Sequence, residues 1–149
     1  MKIHIRGVSA VLSDLESLRG SFMKEASEAL AVSLRDVQER ARAEHRFTTR
    51  TGLAERSIRT AEARKGQTLS GTVYTALDYG VYLHEGTKPH VIEPRRKKAL
   101  RWTDGGAFVF ARRVKHPGTK KDPYIYEALD AEEPVIVSRF EALAERMKL

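Results

Sequence analysis

The sequence contains no cysteine and no long apolar run. Without cysteine there is no disulfide framework, no thiol nucleophile and no zinc site built from thiolates. No stretch approaches the roughly 20 consecutive apolar residues that a membrane helix needs, and residues 1–6 contain no apolar signal core. We therefore expect a chain that stays in the cytoplasm where it is made and has no membrane partner.

Motifs of the common enzyme classes are also missing. No serine stands in a Gly-x-Ser-x-Gly elbow, and there is no glycine-rich phosphate loop. Two carboxylate pairs, Glu85 with Glu93 and Glu132 with Glu133, would suit acid and base catalysis only if folding buried them together, and they are more simply surface charges. We predict that the chain is not an enzyme and has neither catalytic residues nor a cofactor.

The histidines are the first candidates for a metal site. A zinc protease needs two histidines four residues apart on one helical turn, with a glutamate beside the first. Here His84-Glu85 and His90 are six residues apart, and a glycine and a proline between them prevent a helical turn. His116 would join them only through folding. We predict no metal site, and a hydrolase built on these four residues stays as a remote alternative.

Positive charge is concentrated in one part of the 149-residue chain. The whole sequence has a net charge of +7, and hydrophobic residues make up 41% of it, enough for one modest core. Residues 95–121 hold ten lysines and arginines against one acid, a local balance of +9, whereas the remaining 17 basic and 19 acidic residues sum to −2. This segment is therefore a candidate binding surface.

The basic segment suits a polyanionic partner, because clustered cations release counterions when they bind nucleic acid. A solvated face is the alternative, and an acidic protein surface would be recognised in the same way. No helix-turn-helix, zinc finger or ribbon signature accompanies it, and aromatic residues do not interleave with the basic run as a stacking platform would. The candidate contact residues for DNA or an acidic partner are Arg95, Arg96, Lys97, Lys98, Arg101, Lys120 and Lys121.

The periodicities predict a single α+β domain over residues 1–149, with a long N-terminal helix packed on a mainly antiparallel sheet and a closing C-terminal helix. Alternation predicts a strand at 2–6. Apolar residues then recur every three or four positions along a helix at 11–44, with Ser13 as N-cap and Gly20 as a point where the helix loosens or splits. Part of this apolar stripe is expected to face either the chain's own sheet, the favoured interpretation, or a neighbouring subunit.

The middle of the chain predicts a β block at 57–114. Its expected strands are 57–63 and 68–76, joined as a hairpin, followed by 81–84, 91–92, 99–102 and 107–114, with an extended loop near 84–121. The final helix is placed at 123–147. Asp122 is its expected N-cap, and Pro134 is expected to interrupt or kink it.

A set of short motifs carries a resemblance across most of the chain. In order they are Thr51-Gly52-Leu53 with Ser57-Ile58, Tyr79, Tyr82-Leu83-His84-Glu85-Gly86-Thr87-Lys88-Pro89-His90 with Ile92 and Pro94, His116-Pro117-Gly118-Thr119, and Pro123-Tyr124 through Ala128-Leu129. With the long helix before them, they resemble the tailed-bacteriophage family of tail-completion and head–tail joining proteins, also called minor tail or tail-component proteins. The motif loop residues are Thr51, Gly52, Glu85, Gly86, Pro117 and Gly118.

The motif residues make physical sense in loops between strands. Thr51 can cap the turn that follows it, and Gly52, Gly86 and Gly118 permit backbone angles that other residues resist. The sequence departs from the family pattern at Arg50, where an acidic residue often precedes Thr-Gly, and the usual preceding proline is missing. The departure concerns the local turn.

The resemblance implies a structural virion role. The expected unit is a ring of copies, for example a hexamer, at the neck or the head-proximal end of the tail, in contact with neighbouring neck or tail proteins. The basic segment would face those neighbours or, without sequence specificity, the genomic DNA. The expected location is the host cytoplasm during assembly and the virion afterwards. The alternative function is a basic nucleic-acid-binding accessory protein.

Overall fold

A computed structural model describes the backbone of residues 8–146 and the side chains of residues 13–146, so the strand predicted at 2–6 lies outside the described residues. The element order is α1 (Val8–Ala43), α2 (Leu53–Ser57), β1 (Ile58–Lys65), β2 (Thr68–Thr75), α3 (Gly80–Glu85), β3 (His90–Ile92), β4 (Leu100–Asp104), β5 (Ala107–Ala111), β6 (Val114–His116) and α4 (Tyr124–Arg146). The α+β class is confirmed.

The strands form three separate two-stranded antiparallel ladders within the described part of the chain. β1 pairs with β2 through the turn at Gly66 and Gln67, which confirms the predicted hairpin. β3 pairs with β6, and β4 pairs with β5. The segment predicted as one strand at 107–114 is therefore two strands with different partners, separated by residues 112–113.

The core lies where α1, α4 and the β1–β2 hairpin meet. Its buried members are Val37, Ala41, Ile58, Tyr124 and Ala128. Two buried or half-buried ion pairs fasten α4 to α1: Arg40 Nε lies 2.6 Å from Glu132 Oε1, and Arg139 Nη2 lies 2.7 Å from Asp36 Oδ2. The apolar side chains in the C-terminal half of α1 are therefore packed against other elements of the same chain.

The N-terminal half of the α1 stripe is not covered by the rest of the described chain. Leu15 is 56% exposed and Leu18 is 38% exposed, whereas Leu34 and Val37 are buried. α1 runs through Gly20 without a break, so the helix is not split there. Ser13 lies inside a helix that begins at Val8 and is therefore not its N-cap.

One further strand prediction is wrong, and one of the two effects expected of Pro134, an interruption of α4, does not occur. Residues 81–84 belong to α3 and not to a strand, because Gly80 starts a turn that packs tightly: a Cβ atom there would lie 2.5 Å from the side chain of Thr75. α4 continues through Pro134 without interruption. No helix in residues 8–146 is long and apolar enough to cross a membrane.

Candidate functional site

Residues 87–119 form a projecting two-stranded arm, hereafter the arm. Three stretches of antiparallel pairing follow one another outward: the Thr87–Thr119 bridge, then β3 with β6, then β4 with β5. The two sides are unequal, because residues 93–99 stand opposite residues 112–113 alone. The long insertion on one side therefore bulges out of the arm.

The insertion contains the four consecutive cations predicted as a contact surface. Arg95, Arg96, Lys97 and Lys98 are all exposed and lie in a series of bends. None of the four has an ion pair with an acid in residues 8–146, whereas the neighbouring Arg113 reaches Glu93 at 3.5 Å. Four uncompensated cations on a bulge suit an anionic surface, which would be attracted in a salt-dependent way.

The outer end of the arm, the β4–β5 ladder at residues 100–111, is called the arm tip here. It joins the predicted contact residue Arg101 to exposed aromatic side chains: Phe108 is 63% exposed, Phe110 64% and Trp102 41%. The Arg101 guanidinium carbon lies 4.8 Å from the centre of the Phe108 ring, a cation–π distance. The tip therefore places one basic side chain beside an aromatic ring, outside the basic run of residues 95–98.

The inner end of the arm is closed by two motif glycines. Thr87 and Thr119 exchange backbone hydrogen bonds of 2.9 and 3.2 Å, and the Thr119 N–H also donates to Thr87 Oγ1 at 2.9 Å. Gly86 has φ +74° and Gly118, which follows Pro117, has φ +90°. A Cβ atom on Gly86 would lie 2.7 Å from the carbonyl oxygen of Thr119. Both glycines are therefore required by sterics as well as by φ.

An ion pair crosses the same closure. Lys121 Nζ lies 3.1 Å from Glu85 Oε2, and Glu85 Oε1 lies 3.0 Å from His84 Nδ1. The hydrogen bonds from His84 and then Lys121 hold the pKa of the Glu85 carboxyl below its ordinary value. The adjacent Lys120 is exposed. Two of the predicted residues, Glu85 and Lys121, are thus partners of each other.

Asp122, which follows the arm in the sequence, is hydrogen-bonded to the segment that follows α1. Its Oδ2 accepts the backbone N–H groups of Arg46 at 2.5 Å and Phe47 at 2.9 Å, and it is 2% exposed. Its carboxylate therefore serves the segment after α1 and not the first turn of α4, so the predicted N-cap role is wrong. Burial is the first cause that raises the pKa of the neighbouring Tyr124 phenol.

The Thr51-Gly52 motif forms a second loop beside the arm. The Leu53 N–H donates to Thr51 Oγ1 at 3.4 Å, so Thr51 does cap the turn, and Gly52 has φ +67°. Parts of the segment 46–50 just before it and of the segment 116–122, together with Leu83, line a common cleft of about 560 Å³. The cleft contains four cations, two from each loop: Arg46, Arg50, Lys120 and Lys121.

The three candidate histidines do not form one cluster. His84 is buried with its ring edge-on to Tyr124 and Tyr126, whereas His90 and His116 face each other across the β3–β6 ladder with ring centres 5.0 Å apart. His116 Nδ1 accepts the Gly118 N–H at 3.0 Å. In residues 8–146, no group of three or more His, Asp or Glu side chains could hold a metal ion.

One surface was missed from the sequence. Between α1, β2 and α4 runs an apolar groove of about 350 Å³, hereafter the groove, lined by Leu30, Ser33, Leu34, Val37, Gly71, Thr72, Val73, Ile125, Tyr126, Leu129 and Ile136. In the sequence, these residues have the pattern of ordinary core positions in three separate elements. The gap between the elements arises only when the chain folds, so no local sequence pattern predicts it.

No family model, curated protein or solved structure matches this chain. The surfaces assembled above can hold anions through exposed cations and apolar partners through exposed aromatic rings and the groove. Both are properties of a surface that binds other macromolecules.

Proposed function

We propose that the chain is a structural virion protein of a tailed phage or prophage, which completes the tail or joins head to tail as one subunit of a ring. The observation that carries the proposal is the convergence of the motif loops. Gly86, Pro117 and Gly118 close the base of the arm, and Thr51 and Gly52 hold the loop beside it. The motif residues thus lie together where the basic arm joins the helical part of the protein.

The arm supports an assembly role because a single copy leaves its apolar rings uncovered. Exposed aromatic side chains next to arginine are typical of interface cores. The bulge with Arg95 to Lys98 would then lie at the same interface or face the genome. The proposal assigns binding and positioning to these residues and no catalytic step.

The first test is quantitative mass spectrometry of phage particles purified from the source, with the portal protein as internal standard. A ring subunit should be present in a fixed small-integer ratio to the portal ring. Absence from particles, together with presence in the cell lysate, would refute a virion role.

A second test addresses the bulge directly. Reversing Arg95, Arg96, Lys97 and Lys98 to glutamate should reduce the yield of DNA-filled particles. The matched control makes the same change of charge at four exposed cations away from the arm: Lys24, Arg59, Arg64 and Lys65. If both variants reduced the yield of DNA-filled particles equally, total charge and not the position of the bulge would be responsible.

The arm tip also favours the alternative of a nucleic-acid-binding accessory protein. Rings at Trp102, Phe108 and Phe110 beside Arg101 could stack on unpaired bases, a contact worth about 1–3 kcal/mol per base. Gel retardation of single-stranded DNA by the isolated protein tests it. Tight binding at physiological salt that is lost on Phe108→Ser would favour this alternative over the virion role.

A further inference from the structure

We propose that the arm tip of one copy docks into the groove of a second copy, with β5 added to the free edge of β2. The inference rests on the proposed ring-forming role and names its subunit contact. Both surfaces are uncovered in the same chain, so the arm of a given molecule does not fill its own groove. A contact between two different patches is head-to-tail, the kind that builds rings.

The groove has the character of a binding site. Its walls are largely aliphatic, and its rim is open: Tyr126 is 60% exposed and Leu129 is 47% exposed on the α4 side. Its floor is α1, to which β2 comes close at Gly71, where a Cβ atom would lie 2.7 Å from the side chain of Leu34. An apolar segment entering here would cover both rim residues.

The β2 side of the groove is an unpaired strand edge. Lys65 and Thr68 flank a two-residue turn and are therefore a hydrogen-bonded pair. From there, non-hydrogen-bonded and hydrogen-bonded pairs alternate along the antiparallel ladder. The bond of 2.9 Å from Ala76 N–H to the Ser57 carbonyl keeps the same alternation. The backbone groups of Gly71 and Val73 consequently point away from β1, and they have no backbone partner in the described chain. Such an edge accepts an added strand.

β5 offers the matching edge. Asp104 and Ala107 flank the two-residue turn at Gly105 and Gly106, so the backbone groups of Phe108 and Phe110 point away from β4. In an antiparallel pair, directly opposed residues place their side chains on the same face of the sheet. Setting these two residues opposite Gly71 and Val73 therefore sends both phenyl rings toward α1, into the groove.

Charge also favours this pairing. α4 carries six acids and two arginines. Glu133 stands four residues after Leu129 and three before Ile136, which places it on the groove side of the helix. Neither Glu133 nor Asp130 has an ion pair within residues 8–146, and both are exposed. The arm tip brings Arg101, and Arg112 next to it, to this acidic rim.

Disulfide trapping tests the contact, and the cysteine-free chain gives it a clean background. A tagged Thr103→Cys variant, which keeps both phenyl rings, is mixed with untagged Leu129→Cys under mild oxidation. The control replaces the second partner with Val135→Cys, which is 49% exposed on the same helix but outside the groove. We expect the mixed disulfide to form roughly tenfold faster or more than in the control, because docking raises the effective concentration. Equal rates would overturn the inference.

Sedimentation velocity of the full chain gives a second measure. Phe110→Ser should abolish concentration-dependent association, whereas Tyr82→Ser, which removes a ring of similar exposure outside the arm, should leave it unchanged. Circular dichroism confirms that both variants stay folded. Association that persists in Phe110→Ser overturns the inference. Loss of DNA binding in that variant, with no self-association of the parent chain, also overturns it and assigns the tip to nucleic acid.

The two proposals fail in different experiments. A chain present in particles at ring stoichiometry, whose Thr103→Cys and Leu129→Cys variants form no preferential mixed disulfide, keeps its virion role and loses this contact. A chain that forms the disulfide but is absent from particles keeps the contact and loses the virion role.

Discussion

Replacing Gly118 with alanine should open the base of the arm. Gly118 has φ +90°, and a Cβ atom there would overlap the carbonyl oxygen of Thr87 and lie 2.9 Å from the carbonyl carbon of Lys88. The backbone conformation alone costs alanine about 1–2 kcal/mol. Relieving the overlap requires moving Thr87, which breaks the two backbone bonds with Thr119 at about 0.5–1.5 kcal/mol each. The sum is about 2–5 kcal/mol.

Gly106→Ala separates the two contributions. Gly106 has φ +87°, nearly that of Gly118, but a Cβ atom there meets nothing within 4 Å. Its substitution should therefore cost only the conformational part. Gly20→Ala, on the open surface of α1, should instead stabilise the chain by about 0.5–1 kcal/mol, because glycine is a poor helix former.

Amide hydrogen exchange at Thr119 is the assay, because that N–H donates to Thr87. A difference of about 1–3 kcal/mol between Gly118→Ala and Gly106→Ala corresponds to roughly 5- to 150-fold faster exchange in the former. Equal exchange rates in the two variants would refute the reasoning, because they would show that the close approach to Thr87 contributes nothing.

Three other changes should have measurable effects on stability. Because burial raises the pKa of the Tyr124 phenol, the stability linked to its neutral form is complete below pH 10.0 and is lost as the pH rises through the folded-state pKa. In urea unfolding at alkaline pH, Tyr124→Phe should therefore lose less stability with rising pH than the parent chain does. The lowered pKa of Glu85 acts in the opposite sense: its bond to Lys121 is present above the ordinary pKa of 4.5 and is lost as the pH falls through the folded value. Glu85→Gln should remove this loss of stability at low pH, which amide hydrogen exchange at the base of the arm measures. Asp122→Ala leaves two backbone N–H groups without an acceptor and should cost about 2–4 kcal/mol in urea unfolding, whereas Asp122→Asn should cost less because the amide oxygen can still accept.

The long-period patterns of the sequence predicted the helices well. The stripe that includes Leu34 and Val37 repeats over many turns, so errors at single positions do not hide it, and the observed α1 at Val8–Ala43 is close to the predicted 11–44. The hairpin around Gly66 was equally clear, because a turn signal separates two β-rich segments. Such signals are local, and local signals are what a single sequence contains.

Short windows and distant partners limited the rest. Residues 81–84 alternate apolar and polar side chains as a strand would, and four residues cannot distinguish this from one turn of helix packed on Thr75. Asp122-Pro123 reads as a helix start, but the carboxylate of Asp122 is taken by the backbone of residues 46 and 47, far away in the sequence. The alternation of Phe108 and Phe110 predicted a strand and could not say that their face would be uncovered.

The groove also has a consequence for the order of events during synthesis. α1 and β2 leave the ribosome early, but Ile125, Leu129 and Ile136 on the far wall belong to the last helix of the chain. Domains are made from the N-terminus at about 5–20 residues per second, so an unfinished chain has an arm before it has a groove. If copies assemble head to tail through the proposed contact, a truncated product would offer a tip to a finished neighbour but would have no groove to receive one. Such a product would end a growing chain of subunits, and ring closure would require complete translation of every member.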